Sequence, residues 1–452
     1  MEALANSTDD FLVDSLSYKL KNGAKYVTDR RSVTYHPSGS NIYKTSSGSK
    51  VVKLTLTGDS WLVPDTVKFM MTVRNNAATA LRLRTVGGPW SFWRRLRVLC
   101  AGQVVEDLDY NRVHEMLQIL HSAEARSNDV IEGFGHAYDD ERNAGVAAST
   151  DNCPGIAGGD TQQVSFKLMS GLFSQKKWLP IRYCPITIEL ELCNGANDPV
   201  ITPDDTTAFT TANTSNDWQI EDVQLKCDLC SLDNAVDNQI ADHLLSGKSL
   251  PINYGTYISQ SQTVSGSAIS VNVSRAVTRL SSIYMSFEGA SIDPRHKPWN
   301  QFFHPMSKPN VAVGAEVVPN TTFKLYDPAL ELEYQVQIGS KLFPEYPVQS
   351  LAEAFSQLRK QVKDSHGNDY HGLSISPGQY RQDKHIIGVQ TSKLMSAGFT
   401  GLNTRSGDLM TLRVKGSGGV TIPAAVQPTT LHVVLHSDQV LEIRDTGVQV
   451  FD

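Results

Sequence analysis

Along much of the chain, apolar residues fall at every second position. In "KVVKLTLTG" the apolar set is Val52, Leu54 and Leu56, with Lys53, Thr55 and Thr57 between them. "PITIELEL" sets Ile186, Ile188, Leu190 and Leu192 against Thr187, Glu189 and Glu191. "ALELEYQVQIG" does the same with Leu330, Leu332, Tyr334, Val336 and Ile338, and "TLHVVLH" with Leu431, Val433 and Leu435. A period of two predicts strands with one apolar and one wet face, as antiparallel sheets require. Helical periods are few, and strands and helices do not alternate along the chain. The pattern therefore predicts an all-β sandwich or barrel architecture.

One stretch changes period. In "RLRVLCAGQVVEDLDYNRVHEMLQIL", Leu96, Val98 and Cys100 alternate, Gly102 marks a reversal, Val104 and Val105 form a second short run, and Val113, Met116, Leu117 and Leu120 follow at helical spacing. The same succession returns in "LELEYQVQIGSKLFPEYPVQSLAEAFSQLRKQV": a strand ending at Gly339, a short apolar run, then a helix with Leu351, Ala354, Phe355, Leu358 and Val362 on one face. Ser350 and Glu353 form a capping box at its start. Two further echoes keep the order, "KLMSGLF" at 167–173 with "KLMSAGF" at 393–399, and "WQIEDVQLKCDL" with "TLHVVLHSDQVL". Three matches in one order predict two copies of a β unit of about 200 residues. The long polar segments 121–162, 194–217, 289–322 and 363–390 are expected to be functional loops.

A length of 452 residues suits two or three domains. The 40% hydrophobic and 19% charged content is that of an ordinary globular protein. A net charge of −6 argues against a chain whose main task is to coat nucleic acid, where affinity comes from neutralising phosphates. The opening residues lack a basic segment followed by an apolar core, so no secretory signal is expected, and no apolar run is long enough for a membrane helix. Six cysteines are too sparse for a disulfide scaffold, which makes a reducing compartment the expectation. The sequons at Asn6, Asn213, Asn272 and Asn320 then read as chance.

"LRVLCAGQVVEDL" followed by a helix resembles a recurring element of double jelly-roll major capsid proteins, the lineage of adenoviruses, tailless phages, nucleocytoplasmic large DNA viruses, virophages and Polinton-like elements. "GLFSQKKWLPIRYCPITIELEL" is similar to that family's aromatic segment, Leu-Pro pair and alternating strand, and "CDLCSLDNAVDNQIADHLL" to the strand and polar helix closing its first barrel. "LHVVLHSDQVLEIRDTGVQVFD" is similar to its final strand. Ala101 stands where the family usually has a first turn glycine, and Phe173 replaces a richer aromatic cluster. The resemblance implies two eight-stranded antiparallel jelly-roll barrels in tandem, with few short helices and long tower loops. It divides the chain into an N-terminal arm (1–30), a first jelly roll (31–250) and a second (251–452). It also implies a homotrimer of pseudo-hexameric outline that tiles an icosahedral shell. Neighbouring trimers and minor, cement and penton proteins would be its partners, the virion its location, and loops a possible receptor contact.

Candidate chemistry adds little. In "HEMLQILH", Gln118 stands where a zinc-protease motif needs its second histidine, and His121 lies too far along. In "DLDYNR", Asp107, Asp109 and Asn111 begin like a calcium loop, but Arg112 and Gln118 replace the turn glycine and the closing glutamate. Cys227 and Cys230 form a CxxC; alternation points Cys227 inward and Cys230 outward, as structural thiols. His432 and His436 share an outward strand face and read as a polar face or subunit contact. "PWSFWRRLR" (Trp90, Phe92, Trp93, Arg94, Arg95) interleaves aromatic and basic residues, which suits either single-stranded nucleic acid or, the favoured reading, a sheet edge or subunit contact. The mixed charges of the first thirty residues suit a grip on other capsid proteins, with "FLVDSLSYKL" as a short docking helix.

The expectation is a structural protein with no catalytic, cofactor or metal residues and no sequence-specific nucleic-acid contact. One rival is a carbohydrate- or receptor-binding jelly-roll spike. The other is a β-sandwich glycoside hydrolase, for which Glu189, Glu191, Glu331 and Glu333 supply carboxylates but no distinguished pair.

Overall fold

A computed structural model of the chain describes residues 26–48, 50–78, 81–121, 155–200, 215–289, 302–306, 331–366, 373, 375, 380–381, 384–394, 398–405, 409–422 and 427–452. The first half supplies strands β1 (Val27–Tyr35), β2 (Val51–Leu56), β3 (Trp61–Asn75), β4 (Trp93–Cys100), β5 (Gln103–Asp109), β6 (Thr161–Lys167), β7 (Ile186–Leu192) and β8 (Trp218–Leu232). The second supplies β9 (Leu250–Thr263), β10 (Ala268–Val273), β11 (Leu280–Glu288), β12 (Leu332–Ile338), β13 (Lys341–Val348), β14 (Ile386–Gln390), β15 (Met410–Gly416) and β16 (Thr430–Arg444), followed by a short β17 (Gly447–Phe451). Two sheets of the first half run in the orders β1-β8-β3-β6 and β2-β7-β4-β5. Those of the second run β9-β16-β11-β14 and β10-β15-β12-β13. Adding eight to each strand of the first half gives the second, with every pairing antiparallel. Each half is a jelly roll, two facing sheets of four main strands with Greek-key crossings; the two-residue strands Ile42–Tyr43 and Leu179–Pro180 add to β8 and β3, and β17 adds to β16.

Alternation in sequence becomes alternation in space. Strand β2 reads exposed–buried three times over, and β7 pairs with it so that Leu54 meets Ile188 and Val52 meets Leu190 on the inner face. Strand β12 buries Leu332, Tyr334, Val336 and Ile338. Two-residue hairpins join β4 to β5 and β12 to β13. Ala101 and Gly102 both take positive φ (48° and 85°), the pattern of a type I′ turn, whereas in the second copy only Gly339 does (59°), as type II′ needs. Both hairpins run into a helix, α1 (Tyr110–Ile119) and, after the short α2 (Gly171–Ser174) and α3 (Asn234–Leu245), α4 (Leu351–His366). Ser350 Oγ accepts from Glu353 N at 3.2 Å, so the expected cap is formed. The other two echoes also fall at matching places: 167–173 and 393–399 follow β6 and β14, and β8 and β16 are 15-residue closing strands. Most of the four long loop segments, all of 395–397, and the docking helix expected in the arm lie outside the described residues.

"PWSFWRRLR" turns out to be core, which corrects the reading of it as a sheet-edge or subunit contact. Trp90, Phe92 and Trp93 are buried; Trp93 meets Phe69 edge-on at 5.5 Å and Phe92 meets Trp218 at 4.7 Å. Rings spent on the barrel interior are closed to nucleic acid. Arg94 pairs with Glu191 at 2.7 Å and Arg95 with Asp107 at 2.5 Å, across the outer face of the same sheet.

Inward and outward positions predict opposite costs. Leu190→Ala, at 0% exposure, is expected to destabilise the protein by about 3 kcal/mol. Its neighbour Glu191→Ala, which loses a partly exposed ion pair, should cost under about 1 kcal/mol. Denaturant unfolding of the two variants checks the register of β7.

Candidate assembly surfaces and the seam between barrels

The barrels are joined by shared cores rather than by a linker. Helix α1 leaves the first barrel, where Tyr110 is buried, yet Val113, Met116, Leu117 and Ile119, with Leu120 just beyond, pack into the hydrophobic core of the second. In return Ile252, Tyr254, Leu441, Ile443 and Val448 belong to the core of the first. His114 stacks on Trp90 at 4.3 Å, and Trp90 Nε1 donates to Glu115 Oε2 at 2.7 Å, which fixes the helix from its other side. Arg112 lies over the Phe302 ring at 4.2 Å and reaches Ser286 Oγ and the Phe287 carbonyl at 3.4 and 3.5 Å. Polar residues that a lone helix would turn to water are here filled contacts.

Glu106 sits at the centre of the seam. It is buried and accepts from Ser170 Oγ, from Gly171 N at 2.8 Å and from Leu172 N at 3.5 Å, so it caps α2 from outside. Burial raises its pKa, against these hydrogen bonds and one from Thr256 of the second barrel, which all lower it. A Cβ on Gly171 would stand 1.7 Å from the carbonyl oxygen of Gly255, so only glycine allows the two backbones to approach this closely. Tyr254 Oη donates to Gln439 Oε1 at 2.7 Å and lies 3.2 Å from the Val105 carbonyl. Asp109 N donates to Ser259 Oγ at 3.3 Å, and Lys177 Nζ to the Pro251 carbonyl at 2.8 Å.

At the loop end the seam widens into a cavity of about 760 Å³ lined by both barrels, with Arg94, Asp109 and Arg112 from the first and Glu288 and His432 from the second. His432 Nε2 lies 2.8 Å from Glu288 Oε2 and its Nδ1 2.8 Å from Ser261 Oγ. Burial, then the Arg112 charge, lowers the His432 pKa; burial raises that of Asp109. His436 stacks on Tyr257 at 4.8 Å. Both histidines thus make these contacts within the second barrel, and His432 also lines the cavity that the two barrels share. Among the described residues no group of three His, Cys, Asp or Glu side chains is arranged to hold a metal.

The remaining candidates make contacts within the chain. Asp107 pairs with Arg95, and Asn111 Oδ1 accepts from Arg112 N. Cys227 is buried as expected, its thiol pushed up to about 12 by burial. Cys230 corrects the alternation argument. It is only 2% exposed, screened in the sheet between Arg30 of β1 and Trp61 of β3. Glu189 and Glu191 pair with Arg97 and Arg94, and Glu333 with Lys415. Glu331 departs from the wet face expected of it: it is buried and accepts from Leu351 N at 2.8 Å, holding the start of α4. What sequence reasoning missed is the seam itself. Gly171, Glu106 and Tyr254 act across 60 to 150 residues of chain, and no local period reports them.

Two of the described sheet edges bear on the outer surface of the barrels. Strand β13 exposes Leu342 (39%) and Tyr346 (78%), and β1 is exposed throughout Thr28–Ser32.

No protein-family model matches the chain, and no curated protein matches it in sequence. Solved structures do. VP54 of PBCV-1, as fitted into a cryo-EM reconstruction of the virophage Sputnik, aligns with a TM-score of 0.61 at 9% identity, over 96% of this chain and 99% of that one. A cryo-EM structure of the Sputnik virophage gives 0.60 at 10% identity, over 97% and 91%. The Faustovirus major capsid protein gives 0.55 at 10% identity, over 98% and 94%. At such identities the likeness establishes the fold, a double jelly roll over nearly the whole chain.

Two outcomes follow for the packed polar groups. Gly171→Ala is expected to cost about 1–3 kcal/mol and to raise amide exchange in α2 and at the facing part of β9. Burial lowers the pKa of His385 from 6.5 to about 3. The folded state keeps it neutral, and the unfolded state takes up its proton as pH falls below 6.5. Stability is therefore free of this penalty above 6.5 and loses about 1.4 kcal/mol per pH unit from this group on the way down. His385→Phe should flatten that acid limb by one proton in denaturant titrations at pH 7, 6, 5 and 4.

Proposed function

We propose that this chain is a major capsid protein that self-assembles into pseudo-hexameric homotrimers and tiles the icosahedral shell of a double-stranded DNA virus or virus-like element. The observation that carries the reading is the repetition of one eight-strand order within a single chain. Three copies of such a chain bring six similar barrels around one axis, an outline that packs hexagonally, and a closed cyclic trimer is an ordinary assembly. The wholesale use of charged and titratable side chains in sheet faces and the seam supports a structural role over a catalytic one. On this reading the division into an arm (1–30) and two jelly rolls (31–250 and 251–452) is a division into a grip and two tiles, with residues 27–30 already in strand β1 of the first tile. The location is the virion, and minor, cement and penton proteins and neighbouring trimers are the further partners.

Fold relatives matched over nearly their full length, a PBCV-1 virus capsid, the Sputnik virophage and the Faustovirus major capsid protein, support the same role. Light scattering of the purified protein is expected to give a mass three times that of the 49.7 kDa chain, and negative-stain images a hexagonal outline. A stable monomer with affinity for a defined glycan would favour the receptor- or carbohydrate-binding spike instead.

A further inference from the structure

We propose that the second barrel holds a binding site for a small phosphate monoester, in the cavity between helix α4 and strands β12, β13 and β14, with Tyr334, Lys360 and Lys393 as the groups that recognise the phosphate.

One core hydroxyl stands where its counterpart has none. Counting back from the two hairpin turns, Tyr334 of β12 occupies the position that Leu96 holds in β4. Both side chains are buried, at 1% and 0% exposure. Leu96 brings no polar atom, whereas Tyr334 brings an Oη that has no hydrogen-bond partner among the described residues. A buried hydroxyl without a partner costs stability, and phenylalanine would fill the same space without that cost. Burial, then the Glu353 charge, raises the pKa of Tyr334, so the group offers a proton rather than a negative charge.

Tyr334 lines a cavity of about 370 Å³ on the flank of the second barrel. Helix α4 forms one wall. It lies close on β14 because residue 388 is glycine, where a Cβ would stand 2.0 Å from Gln361 Oε1. Lys360 of α4 and Lys393, just past β14, line the cavity and are exposed, with Gln357 and Ser392 beside them. No aspartate or glutamate is in the lining; Glu353, exposed on α4, lies outside it. The larger cavity at the seam sets carboxylates beside its cations and so favours no one sign of charge. This one offers two ammonium groups, a phenol hydroxyl and neutral polar side chains. Lysines lack the planar fork with which arginine grips a carboxylate, and they serve phosphate as point charges. Pro344 and Val389 add an apolar wall, which a bare phosphate leaves unused and a small organic body covers. That combination selects a monoester.

Isothermal titration of the full-length protein with glycerol 3-phosphate, inorganic phosphate and glycerol tests the site. Both phosphates are expected to bind at one site per chain, the ester at least as tightly as the free ion, and glycerol not at all. Tyr334→Phe should weaken the binding of both phosphates by about tenfold, and Lys360→Ala/Lys393→Ala by about tenfold or more, as befits hydrogen bonds to a charged group. Without phosphate, Tyr334→Phe should melt no lower than the parent, because its hydroxyl has no partner to lose. A parent that binds neither phosphate overturns the inference, and so does a Tyr334→Phe variant that binds them as tightly as the parent. Glycerol binding as tightly as its phosphate also overturns it. A lower melting temperature for Tyr334→Phe would show the hydroxyl already spent on the fold, with the same consequence.

Discussion

The structure depends on one helix being owned by two cores. Helix α1 begins in the first barrel and spends its apolar face, Val113, Met116, Leu117 and Ile119, inside the second. Burying these four side chains in a foreign core stabilises by several kcal/mol, at about 1.5–3 kcal/mol for each fully buried large one. That is enough to hold two barrels as one body. The return traffic, Ile252, Tyr254 and Leu441 in the first core, makes the weld reciprocal. Once the barrels are fixed in this way, the close approach at Gly171 and Gly255, the capping of α2 by Glu106 and the stacking of His114 on Trp90 follow as local consequences.

The weld also decides what the charged residues do. Arg112 and His432 look like functional groups when read as isolated side chains, and so does the Asp109–Asn111 pair. In place, they fill the polar margin of a seam whose centre is apolar. Burial lowers the pKa of His432 and raises that of Asp109, so it works against the charged form of each. A surface built in this way positions the barrels.

Much of this was legible in the sequence because sheets report themselves locally. The period of two in "PITIELEL" and "ALELEYQVQIG" fixed which residues point inward, and the hairpin–helix succession seen twice exposed the duplication. The limits have equally particular causes. Val434 lies on the outer face of β16 by alternation, yet it is 1% exposed and belongs to the core cluster that α1 joins. "PWSFWRRLR" has the composition of an interface but folds as a short helix and strand inside a core, where Trp and Phe are also at home. Cys230 and Glu331 break the same rule, one screened by neighbouring strands and one recruited to a helix end. In each case a contact distant in sequence overrides a correct local pattern.

Differential scanning calorimetry of the intact chain, at a concentration where it sediments as one species, tests the shared-core account most directly. The account predicts a single transition whose calorimetric and van't Hoff enthalpies agree, because neither barrel keeps a complete core without the other. Two separable transitions, with the second barrel surviving the melting of α1, would contradict it.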